Sequence, residues 1–414
     1  MTTTTHSSTE DSAPASVDER HRRGTRGFNR ISLALFAAGL TTFVSMYCTQ
    51  ALLPALSGSF GVSPASAALA VSVTTGVLAL AIIPASALSE RFGRTRVMVI
   101  SASTSAVIGL LLPLSPTFSA LLAGRALQGL TLAGVPAVAM AYLAEEVHAD
   151  SLGLAMGRYV AGTTLGGLLG RLVPSGVLDA TTWRWGLEAA AVTALVCAVV
   201  FLRTLPRSRH FRPQSVGVRV LVANVRGHLS SPALCSLFAL GFLLMGGFVS
   251  VYNFLGYRLM RPPFGLSEAT VGLVFLMYLA GTVSSTVAGR IADRAGRGRT
   301  MTVAVLVSAA GLLVTIPDEL PLILVGVLLF TGGFFAAHAV ASGWVGALAT
   351  GHRAEASALY LFAYYLGSSV VGALTGLAFA AQGWTGLVVG VSALLAVALA
   401  LVVGLRLRSH PARH

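Results

Sequence analysis

Among the ionisable side chains inside stretches otherwise nearly free of charge, any chemistry begins with four: Arg125, Arg171, Glu188 and His338. Arg125 lies seven residues past Phe118 and Arg171 seven before the end of its run at Leu178. Each is therefore about 10 Å inside a hydrocarbon layer about 30 Å thick. A charge at that depth costs at least about 2.5–3.5 kcal/mol, so each must face the bundle interior and a partner. Glu188 is the acid within an apolar run at comparable height. It is the expected counter-ion of both arginines and a candidate carrier of an exchangeable proton; the competing reading puts it at the wet interface. For Arg125 the competing reading is structural, a bond to backbone or to Gln50. His338 can titrate near neutral pH, while helix packing accounts for a lone histidine equally well. Tyr47 and Gln50 in the first half, and Tyr252 and Asn253 in the second, occupy corresponding places. They are placed either to line a midplane cavity or to bond helix to helix. Phe334, Phe335, Tyr364 and Tyr365 read as core or lipid-facing aromatics.

The elements that must position these groups follow from composition. Of 414 residues, 55% are apolar and 10% charged, against about 25% charged in an average soluble domain. Apolar spans near 31–56, 65–88, 97–114, 118–144, 152–178 and 185–204 precede a basic polar connector. Six more follow near 232–256, 268–289, 300–316, 320–349, 355–380 and 384–405. Runs of this length read as bilayer-spanning helices. The expected fold is an all-α membrane protein of twelve transmembrane helices in two six-helix bundles, 28–204 and 232–405. A cytoplasmic connector over 205–231 joins them. Residues 1–27, rich in Thr, Ser and charge, read as a disordered cytoplasmic tail, and 406–414 as a second, short tail.

The net charge of +13 belongs to topology rather than to nucleic acid. Twenty-two arginines fall on the side of the termini and connector, and three, Arg184, Arg258 and Arg261, on the other. This imbalance places both termini in the cytoplasm. No lysine occurs, which removes Schiff-base chemistry. The cysteines Cys48, Cys197 and Cys235 lie in apolar runs and read as small core residues. No phosphate-binding G-x-x-x-x-G-K-[ST], H-E-x-x-H, paired-cysteine metal spacing or G-x-S-x-G is present. No metal, cofactor or enzymatic activity is expected, and energy must come from a gradient.

An internal repeat adds to this. SALSERFGRTR from Ser86 is matched by GRIADRAGRGR from Gly289, 203 residues later. Each copy carries an acid, an arginine, a turn glycine and a second arginine: Glu90, Arg91, Gly93 and Arg94, then Asp293, Arg294, Gly296 and Arg297. Glycine permits the tight reversal, and the charges can join neighbouring helices into a polar latch. Glu145, Glu146 and Asp150 are candidate partners for the first copy and Glu355 for the second. In span five, Gly162, Gly166 and Gly170 form one smooth stripe suited to close helix packing.

These residues resemble the major facilitator superfamily, whose loop signature G-x-x-x-D-R-x-G-R-R/K is met by Gly289, Asp293, Arg294, Gly296 and Arg297. In the first copy Ser86 replaces the leading Gly and Glu90 the Asp. The likeness covers residues 28–405, and YRLMRPPFGLSEATVG from Tyr257 resembles a bacterial inner-membrane branch of the superfamily. It implies two pseudo-symmetric bundles that move a small solute by alternating access. RALQG, with Arg125, Gln128 and Gly129, is similar to the efflux branch, where the matching arginine is implicated in proton coupling. AGTTLGGLLGRLVPSG from Ala161 is similar to the antiporter signature G-x-x-x-G-P-x-x-G-G, with Gly167 in place of its Pro and Arg171 in place of its last Gly. The resemblance thus implies a monomeric carrier in the bacterial cytoplasmic membrane that couples protons to efflux of a drug or metabolite. Uptake of a small organic solute is the alternative, and a polytopic membrane enzyme a remote one.

Overall fold

The computed structural model describes residues 20–211 and 218–408. The expected tail over 1–19, Arg212 of the connector and the segment 409–414 lie outside the described residues.

The first span is Arg26–Phe60. Thr25 caps its start, the hydroxyl accepting from the Phe28 amide at 3.2 Å. The α-helix stops at Tyr47, passes through a 3₁₀ turn at Gln50–Leu52 and resumes over Leu53–Phe60. Spans two to four are Pro64–Phe92, Arg94–Leu114 and Phe118–Glu146. Span five, Ala149–Leu178, has 30 residues and so is long enough to cross, but its glycines, Arg158 and Arg171 make it less apolar than its neighbours. Span six is Trp183–Thr204, and spans seven to ten are Pro232–Leu259, Glu268–Ala295, Arg297–Val314 and Leu320–Leu348. The remaining helix, Arg353–Arg408, has 56 residues, nearly three times what a bilayer needs. Gly383, at φ 59° and ψ −146°, divides it into spans eleven and twelve. The twelve expected spans are thus present among the described residues, with no β-strand.

One expectation is corrected. Residues 20–27 are ordered rather than part of a loose tail: the His21 amide donates to Glu146 O at 2.9 Å, and His148 N donates to His21 O at 3.1 Å. The connector carries an element of its own. It contains the helix Val218–Leu229, whose Asn224 Nδ2 reaches Glu355 Oε1 at 3.5 Å.

The repeat is visible in the backbone. Gly93 (φ 100°, ψ 140°) separates spans two and three, and Gly296 (φ 88°, ψ 143°) separates spans eight and nine. A Cβ is strained in that region, so both reversals need glycine.

The glycine stripe presses span five directly onto span one. A Cβ on Gly162, Gly166 or Gly170 would stand 2.3, 2.7 or 2.8 Å from the carbonyl oxygens of Phe36, Leu40 and Val44 respectively. Three glycines spaced four apart therefore lie on three carbonyls spaced four apart, and spans one and five form one unit. The second bundle repeats the device with Gly367 of span eleven, whose Cβ would stand 2.0 Å from Phe242 O of span seven.

The bundles meet in the half of the molecule away from the connector, called here the far end; the opposite, arginine-rich end is the basic end. Span two packs on span eleven there, with Ala65 beside Gly376, Ser72 beside Gly372 and Ser369 beside Gly76. Ser175 of span five likewise lies against Gly272 of span eight.

Candidate functional site

Span one is broken at the depth where the two deep arginines lie, and the break accounts for the first of them. Ending an α-helix at Tyr47 strands carbonyls that would otherwise be bonded within the helix. Arg125, fully buried, supplies the donors: Nη1 to Ser45 O at 2.7 Å, Nη2 to Met46 O at 2.6 Å and Nε to Ala70 O of span two at 3.0 Å. Nη1 also donates to Gln128 Oε1 and to Cys48 Sγ. The negative end of the helix dipole and a set of carbonyls thus stand where an acid was expected. Arg125 thus bonds backbone on two spans, and Gln50 is not among its partners.

Gln50 belongs to Arg171 instead. Arg171, 1% exposed, donates through Nε to Gln50 Oε1 at 2.6 Å and through Nη1 to Gly167 O. Its guanidinium carbon lies 4.1 Å from the ring centre of Tyr47, 4.5 Å from Tyr278 and 5.2 Å from Phe275. Rings at these distances attract a cation by their negative faces. Glu188 is not the counter-ion of either arginine here. It is half-buried, and among the described residues no carboxylate lies within ion-pair distance of Arg125 or Arg171.

The four cavity candidates do come together. Gln50 Nε2 donates to Asn253 Oδ1 at 2.7 Å, joining the two bundles through residues 203 apart, the spacing of the repeat. Tyr47 walls one side of Arg171. Tyr252 bonds Thr331 Oγ1 at 2.7 Å and packs 4.8 Å from Tyr278. His338 Nδ1 lies 2.9 Å from Tyr360 Oη, with the Tyr364 ring at 4.6 Å. From His338 a series of rings, Phe334, Phe248 and Tyr278, leads to Arg171. Phe334 is therefore part of this interior series rather than lipid-facing. Tyr278, Phe275 and Phe248 were missed by sequence reasoning; the available signal was aromatic residues in spans seven and eight close to the repeat position of Gln50.

The far end is closed above this level. Tyr257 Oη donates to Leu53 O at 2.8 Å and pairs with Ser57 Oγ at 2.7 Å. Asp179 accepts from Ser267 Oγ and Ala269 N, both at 2.9 Å, tying the end of span five to the start of span eight. A narrow cleft between Gln50, Asn253, Ser175 and Phe275 has room for about one water. The Ala269 amide and Ser267 hydroxyl hold the Asp179 carboxyl below the usual carboxylate range. A depressed pKa means that the tie is complete above about pH 4 and weakens as pH falls through the lower value. A cysteine placed at Ser175, buried against Gly272, should therefore react slowly with a thiol reagent at pH 7 while the far end stays closed, and faster once it parts. Asp179→Ala should show the faster rate already at pH 7; equal rates for variant and parent would remove the tie.

At the basic end the latch copies differ. Arg94 donates to Glu145 Oε1 at 3.0 Å and to Ser89 Oγ at 2.6 Å, with Glu90 at 3.9 Å. Arg91 lies over its neighbour Phe92 at 5.3 Å. Glu146 is no latch partner: it accepts from Ser208 Oγ and from the Arg209 and His210 amides, anchoring the connector. Asp150 pairs with His148 at 3.3 Å and Glu355 with His352 at 3.4 Å. Asp293 and Arg294 are exposed and Arg297 half-buried, with no ion pair among the described residues. Another arginine, counted in the sequence only toward topology, is structural. Arg258 donates to Ile316 O at 3.0 Å, Pro317 O at 2.9 Å and Asp318 Oδ1 at 2.9 Å, stacks 5.0 Å from Trp384, and so closes the end of span nine.

Twelve spans in two bundles, with polar and aromatic groups of both converging on one buried level, define a membrane transporter. The Major Facilitator Superfamily model matches residues 35–260 and 237–414. The chain is 44% identical over 96% of its length to the inner membrane transport protein YnfM of Escherichia coli (strain K12), covering 97% of that protein. It is 41% identical to the uncharacterized MFS-type transporter YybF of Bacillus subtilis (strain 168), over 91% of this chain and 94% of that one. Among solved structures, a bacterial homolog of the human lysosomal transporter Spinster, in an inward-facing and occupied conformation, superposes with a TM-score of 0.77 at 15% identity, over 94% of this chain and 100% of that one. The chain belongs to the major facilitator superfamily.

Proposed function

We propose that this transporter exports a small solute by alternating access, driven by protons moving the other way, with its basic end in the cytoplasm. The observation that carries the reading is the divided site. Tyr47, Gln50 and Arg171 belong to the first bundle and Asn253, Phe275 and Tyr278 to the second, so rocking of the bundles changes the site itself. With the far end closed by the Gln50–Asn253, Tyr257 and Asp179 contacts, only the basic end can admit or release a solute, and the likeness of RALQG to the efflux branch is what favours export. The arginine imbalance supports the orientation. The exposed Asp293 and Arg294 fit a second latch that engages when the basic end closes.

His338 is assigned the proton. It is half-buried in span ten, and its Nδ1 contacts Tyr360 at the head of the ring series leading to Arg171. Glu188 is the second titratable candidate. The test is proton movement into proteoliposomes loaded with a pH-sensitive dye, across a panel of carboxylates, amines and sugars. An added solute should drive proton flux in the parent and in Glu188→Gln, and His338→Gln should retain solute exchange without proton flux. Flux lost in Glu188→Gln alone would move the proton to Glu188. No solute-dependent flux in the parent would end proton coupling.

A further inference from the structure

The hydrogen bonds around Arg171 fix one another's direction. A guanidinium only donates, so Gln50 must present Oε1 to it and its amide NH₂ to Asn253. Asn253 must then receive that bond on Oδ1, at 2.7 Å. Its own NH₂ is left over: Asn253 is 1% exposed and Nδ2 has no partner. Tyr278 is 7% exposed, and its hydroxyl makes no well-formed hydrogen bond, although it lies close enough to the Arg171 guanidinium to interact with it. Arg171 itself bonds through Nε to Gln50 and through Nη1 to Gly167, which leaves Nη2 available on the side of Tyr278. The chain therefore runs from a buried cation to surplus donors, with no carboxylate to neutralise it.

A buried donor left unmade costs about 1–3 kcal/mol, and more for a charged group. Lone donors at one buried level call for an acceptor that arrives from elsewhere. The surroundings define the rest of that molecule. Below Arg171 lie the half-buried faces of Phe335, His338 and Tyr364, with Tyr364 near both Tyr47 and Tyr278. These offer apolar, ring-shaped contact and no further anion.

We infer that Arg171 Nη2 and Tyr278 Oη form the carboxylate-binding site of the transported solute, and that the solute is an organic anion with an aromatic or other flat apolar body. Nη2 and the phenol would each donate to one carboxylate oxygen, and the body would lie against Tyr364 and Phe335. This rests on the transport reading for its purpose but not for its test, because binding is measured without transport.

The probes are benzoate and 2-naphthoate, with benzamide and benzylammonium as neutral and cationic counterparts, titrated by calorimetry into the full chain in detergent. At least one carboxylate should bind about tenfold or more tightly than benzamide, since charge-assisted bonds are about twice as strong as neutral ones, and benzylammonium should not bind. Arg171→Gln should abolish carboxylate binding. Tyr278→Phe, which removes only a hydroxyl without a well-formed hydrogen bond, should weaken it about three- to tenfold while leaving the thermal midpoint unchanged. Absence of binding by both carboxylates overturns the assignment, as does benzamide or benzylammonium binding as tightly, or undiminished affinity in Tyr278→Phe. Carboxylate binding without carboxylate transport in proteoliposomes would keep the site and remove the export reading.

Discussion

Arg125→Gln is expected to cost this protein most of its folded population. The guanidinium donates to Ser45 O, Met46 O and Ala70 O, as well as to Gln128 and Cys48. Glutamine has one NH₂ group and cannot reach carbonyls on two spans. The Met46 carbonyl then stays stranded at the break in span one and Ser45 O keeps only the weak Cys48 thiol, with no water to replace the lost donors. Each unsatisfied group costs about 1–3 kcal/mol, and breaking such a buried charged cluster costs about 3–5 kcal/mol. The thermal midpoint in detergent should fall steeply and the yield of monodisperse protein with it. Arg125→Lys should recover part of the loss, because it keeps the charge beside the helix end and serves fewer acceptors. A midpoint equal to the parent's in Arg125→Gln would mean that the helix end is satisfied in some other way.

Gly162→Leu should have the second largest effect. Even a Cβ would lie 2.3 Å from Phe36 O, and backbone on both sides leaves no flexible atom to give way. Overpacking of this kind costs about 1–3 kcal/mol or more. The damage extends to the site, since Arg171 is carried by span five and its partners Tyr47 and Gln50 by span one. Both the thermal midpoint and carboxylate binding should drop. Gly176→Leu is the matched comparison: a Cβ there meets nothing within 4 Å, so parent-like stability and binding are expected. Equal behaviour of the two variants would refute close packing as the function of the stripe.

Much of this was legible in the sequence, for identifiable reasons. Twelve spans follow from runs without charge, because the bilayer imposes length and apolarity directly on the chain. The reversals at Gly93 and Gly296 and the stripe at Gly162, Gly166 and Gly170 follow from the unique sterics of glycine. Tyr47, Gln50, Tyr252 and Asn253 could be grouped because the repeat maps one half onto the other. Charge pairing was much less legible. Depth alone argued for an acid opposite Arg125 and Arg171, whereas the partners proved to be carbonyls, amide oxygens and ring faces. None of these carries a formal charge, and hydropathy does not register a broken helix. Glu146 was misread for a related reason: its neighbours in sequence are the first latch's surroundings, while its actual partners, Ser208 to His210, sit more than sixty residues on. Asp179 went unnoticed, and Arg258 was read only as a topology charge, because each looks like an ordinary loop charge until the loops are folded together.

The ownership of the rings around Arg171 has a thermodynamic consequence. Tyr47 shares a rigid unit with the cation and stays with it through any movement, while Phe275 and Tyr278 travel with the opposite half. In the export reading proposed above, parting of the far end would strip the guanidinium of two of its three aromatic walls, and its grip on a guest would relax without any change in its own rotamer. Capture and discharge would then depend on which jaw each side chain is mounted on, and a graft that moved the Tyr278 ring to the first half would be expected to hold its cargo equally well on both faces of the membrane.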